Sequence, residues 1–137
     1  MKTLHHLVAD KLKDIFPTIL EGAGIPSING KPGENLLGPS LRKAGFCEFN
    51  DQAAHVSFMW RTRERKLILT FPKENLRNGE LKLGDATAGE FYDLKTDARE
   101  WTNLYGRAEW RADRERMRVE LLAHLNGVAL KKANRSK

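Results

Sequence analysis

Residues Ala54 to Phe71 read AHVSFMWRTRERKLILTF, and the alternation in that stretch decides the fold. Val56, Phe58 and Trp60 alternate with Ser57, Met59 and Arg61. After a polar run, Leu67, Leu69 and Phe71 alternate with Ile68 and Thr70. A period of two puts each apolar set on one face of a strand, and two such runs joined by a few polar residues predict a β-hairpin over 54–71. A lone hairpin is marginal in water, so helices or further strands must cover its apolar face. The basic run Arg61-Thr62-Arg63-Glu64-Arg65-Lys66 then falls at the hairpin's exposed end.

Upstream of the hairpin, Leu4, Val8, Leu12, Ile15 and Ile19 recur at helical spacing. They predict an amphipathic helix over about 3–16, capped by Thr3 and ended or kinked by Pro17. Pro26, Asn29-Gly30, Pro32-Gly33 and Gly38-Pro39 punctuate a long loop, followed by a short helix over 39–44 that Gly45 stops. The loop's Asn29-Gly30-Lys31-Pro32-Gly33 lacks the spacing and the Lys-Ser/Thr pair of a phosphate-binding loop.

Downstream, turn signals at Asn78-Gly79 and Gly84-Asp85 bracket a short strand over 80–83, and a further strand is expected near 90–95. Thr96-Asp97 then reads as a helix opening, with helix to about Leu125 and a break at Gly106. Trp101, Leu104, Tyr105 and Ala108 fall on one side of that helix; Trp110, Met117, Leu121 and Val128 fall roughly opposite. Two helices split at Gly106 bury these faces separately, whereas an unbroken helix implies a dimer or a covering partner. The expected architecture is α+β: an N-terminal helix, a small antiparallel sheet with its hairpin around 54–71, and one or two C-terminal helices. A domain spanning 1–130 carries a flexible basic tail, 131–137.

The chain has 137 residues, 40% apolar and 31% charged, which suits one folded domain and argues against wholesale disorder. No run approaches the roughly 20 apolar residues of a membrane span. Cys47 is alone, so no internal disulfide forms, and a reducing, cytoplasmic setting is expected.

The net charge is +6, and residues 1–60 are neutral, so the whole excess lies in 61–137. It concentrates in the run 61–66 and in the tail that begins with Lys131 and Lys132. A third basic feature is Arg107, Arg111, Arg114 and Arg118, spaced 4, 3 and 4 apart, which on a helix form a stripe about 60° wide. Stacked guanidiniums repel one another in isolation, and their planar forks suit phosphate oxygens. Arg61, Arg63, Arg65, Lys66, Arg107, Arg111, Arg114, Arg118, Lys131 and Lys132 together make a candidate surface for nucleic acid, DNA or RNA, bound through phosphates.

The function expected on charge alone is that of a non-catalytic nucleic-acid-binding or nucleoprotein-associated accessory protein. The alternative is a small protein-binding inhibitor or adaptor, phage-type or defence-related, docking on an acidic protein surface. A third reading is a metal-dependent nuclease using Asp85, Asp93, Asp97 and Glu100. Against all three stands internal pairing, with the arginines held by carboxylates such as Asp93, Asp97 or Glu100. His5, His6, His55 and His124 are scattered, and one cysteine makes no thiolate cluster, so neither a metal site nor a cofactor is expected. A nucleophilic pair of Cys47 with His55 or His124 rests on nothing beyond the cysteine's presence.

Overall fold

A computed structural model describes residues 12–26, 33–38, 43–51, 54–77 and 81–135. The chain forms two compact units, residues 1–45 with 61–63 and residues 46–60 with 64–137.

In the first unit, helix α1 spans Leu12–Gly22 and runs through Pro17. This corrects the expected stop at that residue. Proline removes one donor from the helix, yet α1 continues, and on its next turn the Thr18 hydroxyl donates to the Asp14 carbonyl at 2.6 Å. The segment 33–38 is fastened to α1 by two bonds. Glu34 N–H donates to Asp14 Oδ1 (2.9 Å) and Leu36 N–H to Thr18 Oγ1 (3.0 Å). The expected helix start near Thr3 and most of the short helix over 39–44 lie outside the described residues.

The second unit is built on a four-stranded antiparallel sheet in the order β1-β2-β3-β4: β1 Gly45–Asn50, β2 His55–Arg61, β3 Arg65–Pro72 and β4 Ala88–Asp93. The hairpin of β2 and β3 is the one that the alternation predicts. Its apolar set does the burying: Val56, Phe58, Leu67, Leu69 and Phe71 are buried, and Trp60 packs partly buried against them. Each fully buried side chain of this size contributes roughly 1.5–3 kcal/mol.

Register extends the same face into β4, where Leu67 pairs with Phe91, Leu69 with Gly89 and Arg65 with Asp93. Helix α3, Arg111–Arg135, covers this face with Met117, Leu121 and Leu122. Its helical backbone includes Lys131 and Lys132. A one-turn helix α2, Lys73–Arg77, follows β3.

Two expected elements are absent among the described residues. No strand forms at 81–83. Leu81 is buried, and the Asp85 carboxylate accepts the Lys82 N–H at 2.9 Å, closing a 3-10 turn over 83–85 instead. No helix forms over 97–107 either; a 3-10 turn at 108–110 leads directly into α3. Short polar side chains take over the backbone donors there. Asp97 Oδ2 accepts the Thr102 N–H (2.8 Å), and Asn103 Oδ1 accepts the N–H groups of both Phe91 (3.1 Å) and Tyr105 (2.9 Å).

Candidate functional site: the arginine–aromatic belt along strand four

Strand β4 is an edge strand, and an uncovered edge is a liability. The segment 103–105 covers it. Leu104 N–H donates to the Phe91 carbonyl (2.8 Å), Asn103 Nδ2 donates to the Gly89 carbonyl (3.4 Å), and Asn103 Oδ1 takes the Phe91 N–H. This lays Tyr105 against Gly89 and brings Trp110 beside Phe91, with ring centroids 6.0 Å apart.

Along this belt the basic residues meet partners. Arg65 Nη1 donates to Asp93 Oδ1 (2.5 Å), and its guanidinium lies 4.9 Å from the Trp110 ring centroid. Asp93, only 4% exposed, also accepts the Lys95 N–H (3.1 Å) and the Thr96 hydroxyl (2.9 Å). Arg114 donates to the Tyr105 carbonyl, stands 5.0 Å from the Tyr105 ring centroid, and has its Nε 3.7 Å from Glu115 Oε1. Arg118 Nη1 donates to the same Glu115 oxygen at 3.2 Å. These guanidiniums are mostly buried, and each has partners within the fold.

Across the sheet, Lys66 pairs with Glu100 and lies 5.7 Å from the Tyr92 ring centroid. The Tyr92 hydroxyl donates to Glu90 Oε2 at 2.5 Å. That hydrogen bond to a carboxylate, reinforced by burial and by the Glu90 charge, pushes the phenol up from 10.0 to about 12. The turn that carries Glu100 is held by Asp97. Its bond from the Thr102 N–H, with further backbone donors at Trp101, Arg99 and Glu100, lowers the carboxyl below the ordinary 3.8. Glu100 itself sits at φ 59°, the left-handed region that costs a non-glycine residue roughly 1 kcal/mol. Trp101 beside it is 78% exposed, with the Arg99 guanidinium 5.3 Å from its ring centroid.

The sequence-predicted candidates therefore separate. Arg65, Lys66, Arg114 and Arg118 enter internal pairs. Arg107 precedes α3 rather than lying on it, so the expected four-residue helix stripe starts only at Arg111, and both residues are exposed. Arg61 ends β2 and Arg63 is exposed in the turn after it. The Lys131 and Lys132 side chains lie outside the described set. Of the flanking acids, Asp113 pairs with Arg116 (2.5 Å) and Glu120 accepts the Trp60 indole N–H (3.0 Å). Asp93, Asn103, Tyr105, Trp110 and Glu115 organise the belt; Asp93 is among the carboxylates that the internal-pairing reading names, whereas Asn103, Tyr105 and Trp110 were not singled out from the sequence as partners. The short polar residues Asp97 and Asn103 inside a presumed helix are the one local signal that points to it.

The carboxylates considered for a metal are each engaged elsewhere: Asp85 in its turn, Asp93 with Arg65, Asp97 with Thr102, Glu100 with Lys66. Among the described residues no three His, Cys, Asp or Glu side chains converge to hold a metal ion. His124 sits beside two aromatic rings, 4.7 Å from Phe46 and 5.1 Å from Trp60 between centroids, and His55 lies 3.8 Å from Asp51. None of the helices described is long and apolar enough to cross a membrane.

The chain matches no protein-family model and no curated protein sequence. Solved structures share its fold. It is similar to BT4656, solved in complex with its substrate D-glucosamine-2-N,6-O-disulfate, at 24% identity and a TM-score of 0.58, over 86% of this chain and 24% of that one. It is similar to BT1596, a 2-O GAG sulfatase, at 21% identity and a TM-score of 0.63, over 90% of this chain and 26% of that one. A putative sulfatase from Bacteroides thetaiotaomicron VPI-5482 gives 22% identity and a TM-score of 0.62, with 90% and 26% covered. The chain thus spans about a quarter of the length of these proteins. This shared fold overturns the expectation of a non-catalytic nucleic-acid-binding or nucleoprotein-associated protein: the sheet and helix recur as one part of these larger proteins.

Proposed function

We propose that this chain is the sheet-and-helix part of a sulfatase-type enzyme acting on sulfated sugars. In such a reaction water hydrolyses a sulfate ester: the ester S–O bond breaks, and an alcohol, sulfate and a proton are released. The observation that carries the reading is the likeness over 86–90% of the chain to about a quarter of each of three sulfatase-like structures. The internal pairing of Arg65, Arg114 and Arg118 agrees with it, since these residues stiffen a layer and are not held open for a polyanion. In this reading the chain supports the reacting centre, and the groups that attack and stabilise the sulfate ester come from the rest of the polypeptide.

The test is to purify the native polypeptide carrying this sequence, identified by peptides from 88–118, and to measure its mass and its release of inorganic sulfate. The substrates are sulfated glucosamines and a chromogenic aryl sulfate. A polypeptide about three and a half times the length of this chain, releasing sulfate from at least one sulfated sugar, is the expected result. A native polypeptide that releases no sulfate from any of them overturns the reading.

A further inference from the structure

The first unit has no apolar core among its described residues. Only Asp14 and Gly45 are buried there, and every buried core side chain belongs to the second unit. Its large apolar side chains lie open instead: Ile15, Phe16, Ile19, Ile25 and Leu37 are between 47% and 63% exposed. At 100° per residue, Ile15, Phe16 and Ile19 occupy one arc of about 100° on α1. Leu37 extends that arc, because its Cδ1 lies 3.9 Å from the position of a Cβ on Gly22. The Asp14 and Thr18 bonds hold segment 33–38, and with it Leu37, in this place.

Half of about 200 Å² for each of Ile15, Phe16, Ile19 and Leu37 makes a patch on the order of 400 Å², within the range in which the largest exposed patch of a monomer is often functional. In proteins most of a helix's stability comes from packing its apolar face against a covering surface. Some surface must therefore cover this one.

We infer that the α1 face formed by Ile15, Phe16 and Ile19 together with Leu37 docks on the remaining three quarters of the sulfatase-type polypeptide. This rests on the function proposed above. The occupant follows from the length missing: sulfatase-like structures that contain this fold are about three and a half times as long as the chain. Its chemistry follows from the patch. The partner surface is apolar and bears no charge opposite the centre, since Glu21 at the helix end is the one exposed acid among the described side chains of α1.

Hydrogen exchange read by mass spectrometry over peptides covering 12–25 tests this. It is run on the isolated 137-residue chain at low micromolar concentration and on the native polypeptide. The α1 amides should exchange at least ~100-fold more slowly in the native protein, while peptides covering 67–71 and 117–122 exchange alike in both. Ile19→Asp should speed α1 exchange at least ~10-fold in the native protein and leave the thermal midpoint of the isolated chain unchanged. Equal α1 exchange in the two proteins overturns the inference. So does strong protection of α1 in the isolated monomer, or protection that appears only as the chain self-associates. A native polypeptide of 137 residues without sulfatase activity removes this inference and the proposed function together; a longer sulfatase whose α1 exchanges freely removes this one alone.

Discussion

The ring of Tyr105 fills the space in which Gly89 would carry a side chain: a Cβ at that position would stand under 3.0 Å from three of its ring carbons. The contact joins β4 to the segment that covers its edge, and glycine is required there for close approach rather than for its backbone angles. Gly89→Ala should therefore destabilise the chain by about 1–3 kcal/mol in urea unfolding. Tyr105→Ala in the same chain removes the obstacle, so the double substitution should cost less than the two single losses added together. Strict additivity would contradict the packing described here.

The Arg65–Asp93 pair makes a larger claim. Both side chains are mostly buried, and Asp93 holds three donors. Removing the carboxylate with Asp93→Ala leaves a guanidinium in a poorly solvated place, and a loss of roughly 3–5 kcal/mol is expected. Replacing both partners, with Arg65→Met and Asp93→Ala together, should recover part of that loss. Equilibrium unfolding measures it, and a single-variant loss below about 1 kcal/mol would mean the pair is solvated.

These two cases mark what the residues disclose and what they do not. The hairpin was legible because Val56, Phe58, Leu67, Leu69 and Phe71 repeat with a period that only a strand satisfies. Met117 and Leu121 were legible on α3 for the equivalent helical reason. Strand β1 was not, because Phe46 and Phe49 sit three apart and give no alternation, although Phe46 packs against the core. The stretch 97–107 misled because Trp101, Leu104, Tyr105 and Ala108 mimic helical spacing, while Asp97 and Asn103 decide the backbone through hydrogen bonds that no spacing records. The basic candidates misled differently. The partner of Arg65 lies 28 residues away, and Tyr105, whose carbonyl Arg114 binds, lies nine residues back, so pairing and pairlessness look identical in one dimension.

Tyr92 gives the fold an alkaline limit. Its phenol is raised from 10.0 to about 12, first through the hydrogen bond to Glu90. A raised value in the folded state means the unfolded chain releases the proton more readily. The stabilisation is then complete below pH 10 and is lost as pH climbs through about 12. Absorbance at the phenolate band should show one of the two tyrosines titrating near 12, and Tyr92→Phe should remove that late step. A Tyr92 phenol that titrates near 10 would mean that the Glu90 bond does not form in solution.

Asp97 sets the opposite limit on the turn 97–102. The carboxylate accepts the Thr102 N–H and so holds Glu100 in its left-handed conformation, with Trp101 presented beside Arg99. Its value is depressed, chiefly by that bond, so the turn is fully supported above 3.8 and loses support as acid protonates the group. The Thr102 amide proton should follow this directly, with an NMR titration midpoint below 3.8. Asp97→Asn keeps one acceptor oxygen and removes the charge, so the Thr102 inflection should vanish while the amide stays shifted. Asp97→Ala removes the acceptor as well, and both the shift and the inflection should go. An inflection that survives Asp97→Asn would assign the titration to another carboxylate and leave the turn without its proposed anchor.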